Sequence, residues 1–141
     1  MSIQRLDNRL IGFLDILGFS QRLESSTLES IDEIYNGLIE DANSNFFDPP
    51  TREGSKDPIL KDLSVSRFMF DSVVLVSEDI TENRYVNNFI GGVIHLMESA
   101  YVRQLPIRGC VGVGDVLIDD SLDVILSPVF PKLVRLEKTQ D

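Results

Sequence analysis

The stretch "IGFLDILGFS", Ile11 to Ser20, restricts the possible folds of this chain more than any other. Six apolar residues surround one carboxylate, Asp15, and Gly18 then breaks the run. A short, strongly apolar run closed by a glycine reads as a buried strand. An ionised carboxylate in such a strand is costly to bury unless something pairs with it or coordinates it. Two readings follow from the residues alone. Either the strand ends early and Asp15 caps the helix that follows, or Asp15 holds a cation.

At 141 residues the chain, 1–141, reads as one domain with a sizeable core. Its apolar share of 43% and charged share of 26% are those of a soluble globular protein. No apolar stretch approaches the roughly 20 residues of a membrane span, and "MSIQRLDNRL" lacks the apolar core of a secretory signal. Cys110 is the sole cysteine, which excludes an internal disulfide framework and a cysteine-built metal cluster. A cytoplasmic location is the expectation. The net charge of -10 argues against a nucleic-acid partner, because phosphate contacts need clustered Lys and Arg. A single small anion can still be held where a few basic groups, backbone N–H groups or a metal converge.

Along the chain, Leu10–Gly18 is the first strand, and "GFSQRLESS" turns from it into a helix. From Leu28 to Asn43, apolar Leu28, Ile31, Ile34, Tyr35, Leu38, Ile39 and Ala42 recur at helical spacing. "SNFFDPPTREGSKDP" is a loop by its Pro, Gly and charge content. Two β-rich runs, Leu63–Phe70 and Val73–Ser77, flank "DS" and predict a hairpin with Asp71 at its turn. Asn83–Gln104 is a helix with Phe89, Val93, Leu96 and Ala100 on its apolar face. "LPIRGCVGVGDVLIDD" is a glycine-containing strand beside which "SLDVILSP" returns, and "VFPKLVRLEKTQD" is a short helix with Pro131 in its first turn. The order is βααββαβ. It predicts an α+β, ferredoxin-like antiparallel sheet with helices on one face.

Asp15 and Asp71 share a setting, since each is a lone acid in or beside an apolar strand, "FLDILGF" and "FMFDSVVL". In this topology the end of the first strand and the turn of the hairpin face each other. Two carboxylates meeting there repel unless they share a proton or a divalent cation. Mg²⁺ suits such a site, because it takes one or two carboxylates together with substrate phosphates. "ILGFS" would then expose backbone N–H groups at a helix start, a natural phosphate cradle. Turn formation and helix capping explain isolated Asp residues equally well. Spacing leaves both readings open.

"FLDILGFS" resembles the first-strand signature of class III nucleotidyl cyclases, Phe-x-Asp-Ile-x-Gly-Phe-Ser/Thr. "FMFDS" stands where that family places its second metal-binding Asp, and "LPIRGCVGVGDVLID" is similar to the family's following Arg-x-Gly strand. "FMFDS", "IRGCVGVGD" and "VRLEK" together resemble the short bacterial pyrimidine (uridylate or cytidylate) cyclases of the Pycsar anti-phage systems. The resemblance implies conversion of an NTP, UTP or CTP foremost, to a 3′,5′-cyclic nucleotide and pyrophosphate, as a second-messenger synthase in anti-phage defence. It implies two divalent cations, Mn²⁺ or Mg²⁺, held by Asp15, Asp71 and the carbonyl of Ile16. The N–H groups of Gly18, Phe19 and Ser20 would face the triphosphate. Arg67 would contact the base, and Arg135 would offset charge growing on the α-phosphoryl group. It also implies an antiparallel homodimer, with metal carboxylates from one protomer and final-helix residues from the other. The chain departs from the pattern at Pro131, which replaces a companion Asn, at Ser127, which replaces a Gly, and in lacking the family's last strands. Loss of the companion Asn and of the last strands favours an alternative, a catalytically degenerate domain that binds nucleotide or dimerises, whereas retention of Asp15 and Asp71 favours the enzyme. A diguanylate-cyclase-like relative is a weaker third reading, since the chain has no "GG[DE]EF" hairpin.

Other residues read as structural. His95 has no second histidine or nearby cysteine to form a metal site, Cys110 is a small buried hydrophobe, and Asp119 and Asp120 make a turn. "GVGD" is too short for a dinucleotide fingerprint, and Met69 and Phe70 read as core.

Overall fold

A computed structural model describes residues 3–43, 63, 65–69, 71–122 and 124–139. Strands β1 (Ile3–Ile16), β2 (Val65–Met69), β3 (Ser72–Val76), β4 (Ile107–Asp119) and β5 (Val124–Leu126) alternate with helices α1 (Phe19–Glu24), α2 (Leu28–Asn43), α3 (Asn83–Val102) and α4 (Phe130–Lys138). The five strands form one sheet in the order β2-β3-β1-β4-β5, and each neighbouring pair is antiparallel. The first four strands carry the ferredoxin-like order, as the βααββαβ pattern predicts, and β5 extends it. The loop expected over 44–58 and the core role expected for Met69 and Phe70 lie outside the described residues and side chains.

β1 is the middle strand, paired with β3 over Ile11–Asp15 and with β4 along most of its length. It begins seven residues before the expected Leu10, because a bulge hides its first part. Between Leu6 and Arg9 the register against β4 shifts, and Asn8 sits there with φ 58. Asn tolerates this left-handed backbone better than most residues. Three bonds hold it: its N–H donates to Asp115 Oδ1 (3.1 Å), its Nδ2 to Asp79 Oδ1 (3.2 Å), and its carbonyl accepts from Ile80 N–H (3.1 Å). The extra residue reverses the in–out alternation. Leu6 therefore joins the same buried cluster as Ile11 despite its opposite parity.

Helices cover both faces of the sheet, a correction to the one-sided expectation. On one face Leu14, Ile16, Val73, Leu75 and Ile107 pack with Phe19, Leu38, Phe89, Leu96 and Ala100 of the first three helices. The predicted apolar face of α3, namely Phe89, Val93, Leu96 and Ala100, lies in this cluster. Ser99 Oγ donates to the Leu38 carbonyl at 2.9 Å and joins α3 to α2. The predicted bounds of α2 match the structure, but Leu28, its first residue, is exposed.

On the other face Ile11, Val76, Cys110, Val116 and Ile118 pack under Leu133 of α4. The helix comes close because β4 has no side chain beneath it at two points. A Cβ on Gly112 would stand 2.9 Å from Val129 Cγ1 and 3.0 Å from Leu133 Cδ2, and a Cβ on Gly114 would also strike Val129. The glycines expected in this strand thus seat α4, and with it whatever α4 carries. No helix of the described residues is long and apolar enough to cross a membrane.

Candidate functional site

Side chains alternate across a strand, and directly paired residues share a face. Asp15 therefore shares the α4 face with Ile11 and Phe13. Its partners in register are Ser72 on β3 and Arg108 on β4. Asp71 occupies the turn just before Ser72, and its carbonyl accepts from Ile16 N–H at 2.6 Å. The two lone acids, from segments far apart in sequence, thus meet at the end of β1.

α4 adds a third carboxylate from above. Leu133 and Glu137 are four residues apart, on one side of the helix, and both are buried against the sheet. Arg108 Nε donates to Glu137 Oε1 at 3.0 Å and lies 3.9 Å from Asp15 Oδ2. The side chains of Glu137, Asp15 and Arg108 are 9%, 21% and 37% exposed, so this cluster opens toward solvent at its Arg108 side. Burial, first, and then the charges of Asp71 and Glu137 push the Asp15 carboxyl above the usual carboxylate range, against the opposing pull of Arg108. A charge that its surroundings disfavour is one that an added cation would relieve.

Among the described residues, no three His, Cys, Asp or Glu side chains form a group able to hold a metal ion by themselves. Asp15 and Asp71 offer a pair of hard oxygen donors that needs completing by backbone carbonyl, water or phosphate. That donor set fits Mg²⁺ or Mn²⁺ better than a softer metal.

Beyond β1 the chain turns through Gly18, whose φ of 78 starts α1. Leu17 N–H donates to the Pro106 carbonyl at 2.9 Å and Phe19 is buried in the core, so the turn is held at both ends. Ser20 is exposed. The first N–H groups of a helix have no partner within it, and here they stand just past Asp15.

Arg67 is half-buried on β2 opposite Val74. Val74 pairs with Phe13, so Arg67 shares the face of Asp15, one row along and two strands over. Arg135 is exposed on α4. Two residues before the inward Glu137, it lies on another side of the helix, and the chain does not bring it to its own Asp15. Pro131 is in the first turn of α4, as expected. Cys110 Sγ lies 3.0 Å from the Leu133 carbonyl, and burial pushes its thiol up, away from reactivity. His95 is buried in α3.

The motifs "IRG" and "LEK" contain Arg108 and Glu137, for which the sequence alone predicts no role. A signal was present for each. Arg108 is a lone base in an apolar, glycine-rich strand, the counterpart of Asp15, and Glu137 falls four residues after Leu133 on the apolar side of α4.

No protein-family model matches the sequence, and no curated protein matches it. Solved structures do. The adenylyl cyclase CyaB from P. aeruginosa is 18% identical over 100% of this chain and 76% of its own, with a TM-score of 0.66. The catalytic core of a rhodopsin-guanylyl cyclase with converted specificity, in complex with ATPαS, is 14% identical over 98% of this chain and 75% of its own, with a TM-score of 0.67. The guanylyl cyclase domain of the RhoGC fusion protein from the aquatic fungus Blastocladiella emersonii matches in its monomeric form, at 13% identity over 99% of this chain and 79% of its own, with a TM-score of 0.66. The chain has the fold of class III cyclase catalytic domains.

Proposed function

We propose that the chain is a nucleotidyl cyclase catalytic domain. It would act on an NTP, UTP or CTP foremost, to give the 3′,5′-cyclic nucleotide and pyrophosphate. The observation that carries the reading is the meeting of Asp15 and Asp71 at the end of β1, in a fold shared with adenylyl and guanylyl cyclases. In the reaction the ribose 3′-oxygen attacks the α-phosphorus, the bond to the β-phosphate oxygen breaks, and pyrophosphate leaves. Asp15, Asp71 and the Ile16 carbonyl are assigned to hold two divalent cations, Mn²⁺ or Mg²⁺. Such ions, when bound, activate the attacking hydroxyl and neutralise the leaving pyrophosphate.

The remaining assignments concern the chain's own groups. The N–H groups of Gly18, Phe19 and Ser20 face the triphosphate from the held turn. Arg67, on the same face as Asp15, reads the base. Arg135 points away from its own Asp15 and serves the site of a second copy in an antiparallel homodimer. A related guanylyl cyclase domain has been solved in an unconventional dimeric form. The pyrimidine preference and the place in anti-phage defence rest on "FMFDS", "IRGCVGVGD" and "VRLEK".

Pro131 favours a second reading, since proline has no N–H to donate and stands where the resemblance to class III cyclases places an Asn. On that reading the domain binds nucleotide or dimerises without turnover. The test is product formation from ATP, GTP, CTP and UTP with Mn²⁺, alongside Asp71→Ala. A cyclic pyrimidine nucleotide that disappears with Asp71 supports the enzyme. No product from any substrate, in a dimeric sample, leaves the binding module.

A further inference from the structure

The face of the sheet that carries α2 and α3 stays open along β4. Odd-numbered residues of β4 point to that face, since Ile107 packs with Phe89 and Leu96 while Cys110, Val116 and Ile118 lie with Leu133 of α4. Val111, Val113 and Leu117 follow on it and are exposed, as is Leu126 of β5, paired with Leu117. Helix α3 walls this floor. Ile90, Ile94, Met97 and Tyr101 recur at helical spacing on one side of α3, and all four are exposed. That side is opposite Ser99, which bonds α2. Met97 and Tyr101 meet Pro106 and Ile107 around a cavity of about 260 Å³, so the stripe faces β4. Single exposed apolar side chains are ordinary, but a wall and a floor of them meeting at a cavity mark an interaction surface.

We propose that this surface docks an amphipathic helix of another protein, one with an apolar stripe and basic flanks. The cavity is too small for the clefts of roughly 300–1,000 Å³ that hold ligands, and it suits one large apolar side chain of a partner. From Val111 to Asp119 the floor runs about 26 Å at roughly 3.3 Å per residue, the length of a helix of about 18 residues. The charge of the surface selects the partner. Glu98 lines the cavity, and Asp115 and Asp119 alternate with Val113 and Leu117 on the floor. Arg5, which shares the floor through its pairing with Leu117, is already paired with Asp7 and Asp115. A second copy of a chain with net charge -10 would bring these acids against the same acids, whereas lysines flanking an apolar stripe complement them. Asp15 lies on the opposite face of the sheet, so the surface is independent of the cyclase chemistry.

The chain contains no tryptophan, and Tyr101→Trp places a single reporter at the mouth of the cavity, at an exposed position. The probe is an 18-residue peptide of Leu and Lys at helical spacing. Its saturable binding is expected to shift the emission of the new tryptophan to the blue. Two comparison peptides are expected to bind about 10-fold more weakly or worse: one with Glu in place of every Lys, and one with Leu and Lys in strict alternation, which suits a strand. In the same background Ile94→Lys on the wall and Val113→Lys on the floor are each expected to weaken the helical peptide by about 10-fold or more. Leu28→Lys, at an exposed apolar position of α2, is expected to leave it unchanged.

No binding of the helical peptide overturns the proposal. Equal binding to all three Lys variants also overturns it, because the peptide would then be held by the acidic surface at large. Tighter binding of the alternating peptide would make the occupant a strand, and equal binding of the Glu peptide would remove the charge argument; either result is a refutation. Sedimentation of the wild-type chain tests the remaining occupant. An assembly larger than a dimer that Val113→Lys reduces would put a second copy on this face, against the proposal.

Discussion

The close seating of α4 on β4 predicts what a single methyl group would do at Gly112. Alanine suits a strand better than glycine by roughly 0.5–1 kcal/mol, so by propensity alone Gly112→Ala would stabilise. The new Cβ would, however, lie 2.9 Å from Val129 Cγ1 and 3.0 Å from Leu133 Cδ2, closer than carbon atoms pack. Leu133 can turn its terminal methyls, but Val129 is branched at Cβ and stiff. Relief therefore has to come from lifting α4, at an overpacking cost of about 1–3 kcal/mol. The net expectation is a loss of about 1–2 kcal/mol, measured by urea denaturation at constant slope. Adding Val129→Ala opens the contact, so the double variant should lose less than the two single losses combined, by about 0.5 kcal/mol or more. Activity should fall further than stability, because α4 carries Arg135, assigned above to the site of a second copy. If Gly112→Ala is as stable as wild type, or the two losses simply add, α4 is not seated as described.

Three further outcomes follow from the same geometry. Asp15 has its folded-state pKa raised, so its ionisation opposes folding, and the proton-linked stability present at low pH is lost as pH rises through the carboxylate range. Asp15→Asn should therefore raise the melting temperature near pH 7 without divalent cations, less so near pH 3, while removing cyclase activity; a lower melting temperature at pH 7 would contradict the charge argument. Asn8→Val places a β-branched residue at φ 58 and removes the bond to Asp79, for an expected loss of about 1–2 kcal/mol by thermal unfolding, with Asn8→Gly milder. Arg67→Ala is expected to change relative KM among the four nucleoside triphosphates by about 10-fold or more, and to leave the Mn²⁺ requirement in place.

Much of the architecture is legible locally. The apolar spacing from Leu28 to Asn43 yields α2 with its observed bounds, because a helix is specified by neighbours within a few residues. Asp15 and Asp71 stand out for a similar reason, since a lone acid in an apolar strand is visible without knowing what faces it. The first seven residues of β1 escape that reading because the bulge at Asn8 breaks the alternation on which strand recognition depends.

What the sequence determines by itself is therefore the order of elements and the residues that need an explanation. What only the tertiary structure decides is which of them answer one another. Helix α4 lies on the opposite face from α2 and α3 because Gly112 and Gly114 leave it room there, and a glycine in a strand does not announce which helix will fill the space. Arg108 meets Glu137 across twenty-nine positions of chain, and Asp15 across ninety-three, through sheet register and helix packing rather than proximity in sequence. Periodicity is a property of a segment. A shared arginine is a property of three segments held in register, and it exists only once the sheet has formed and α4 has closed over it.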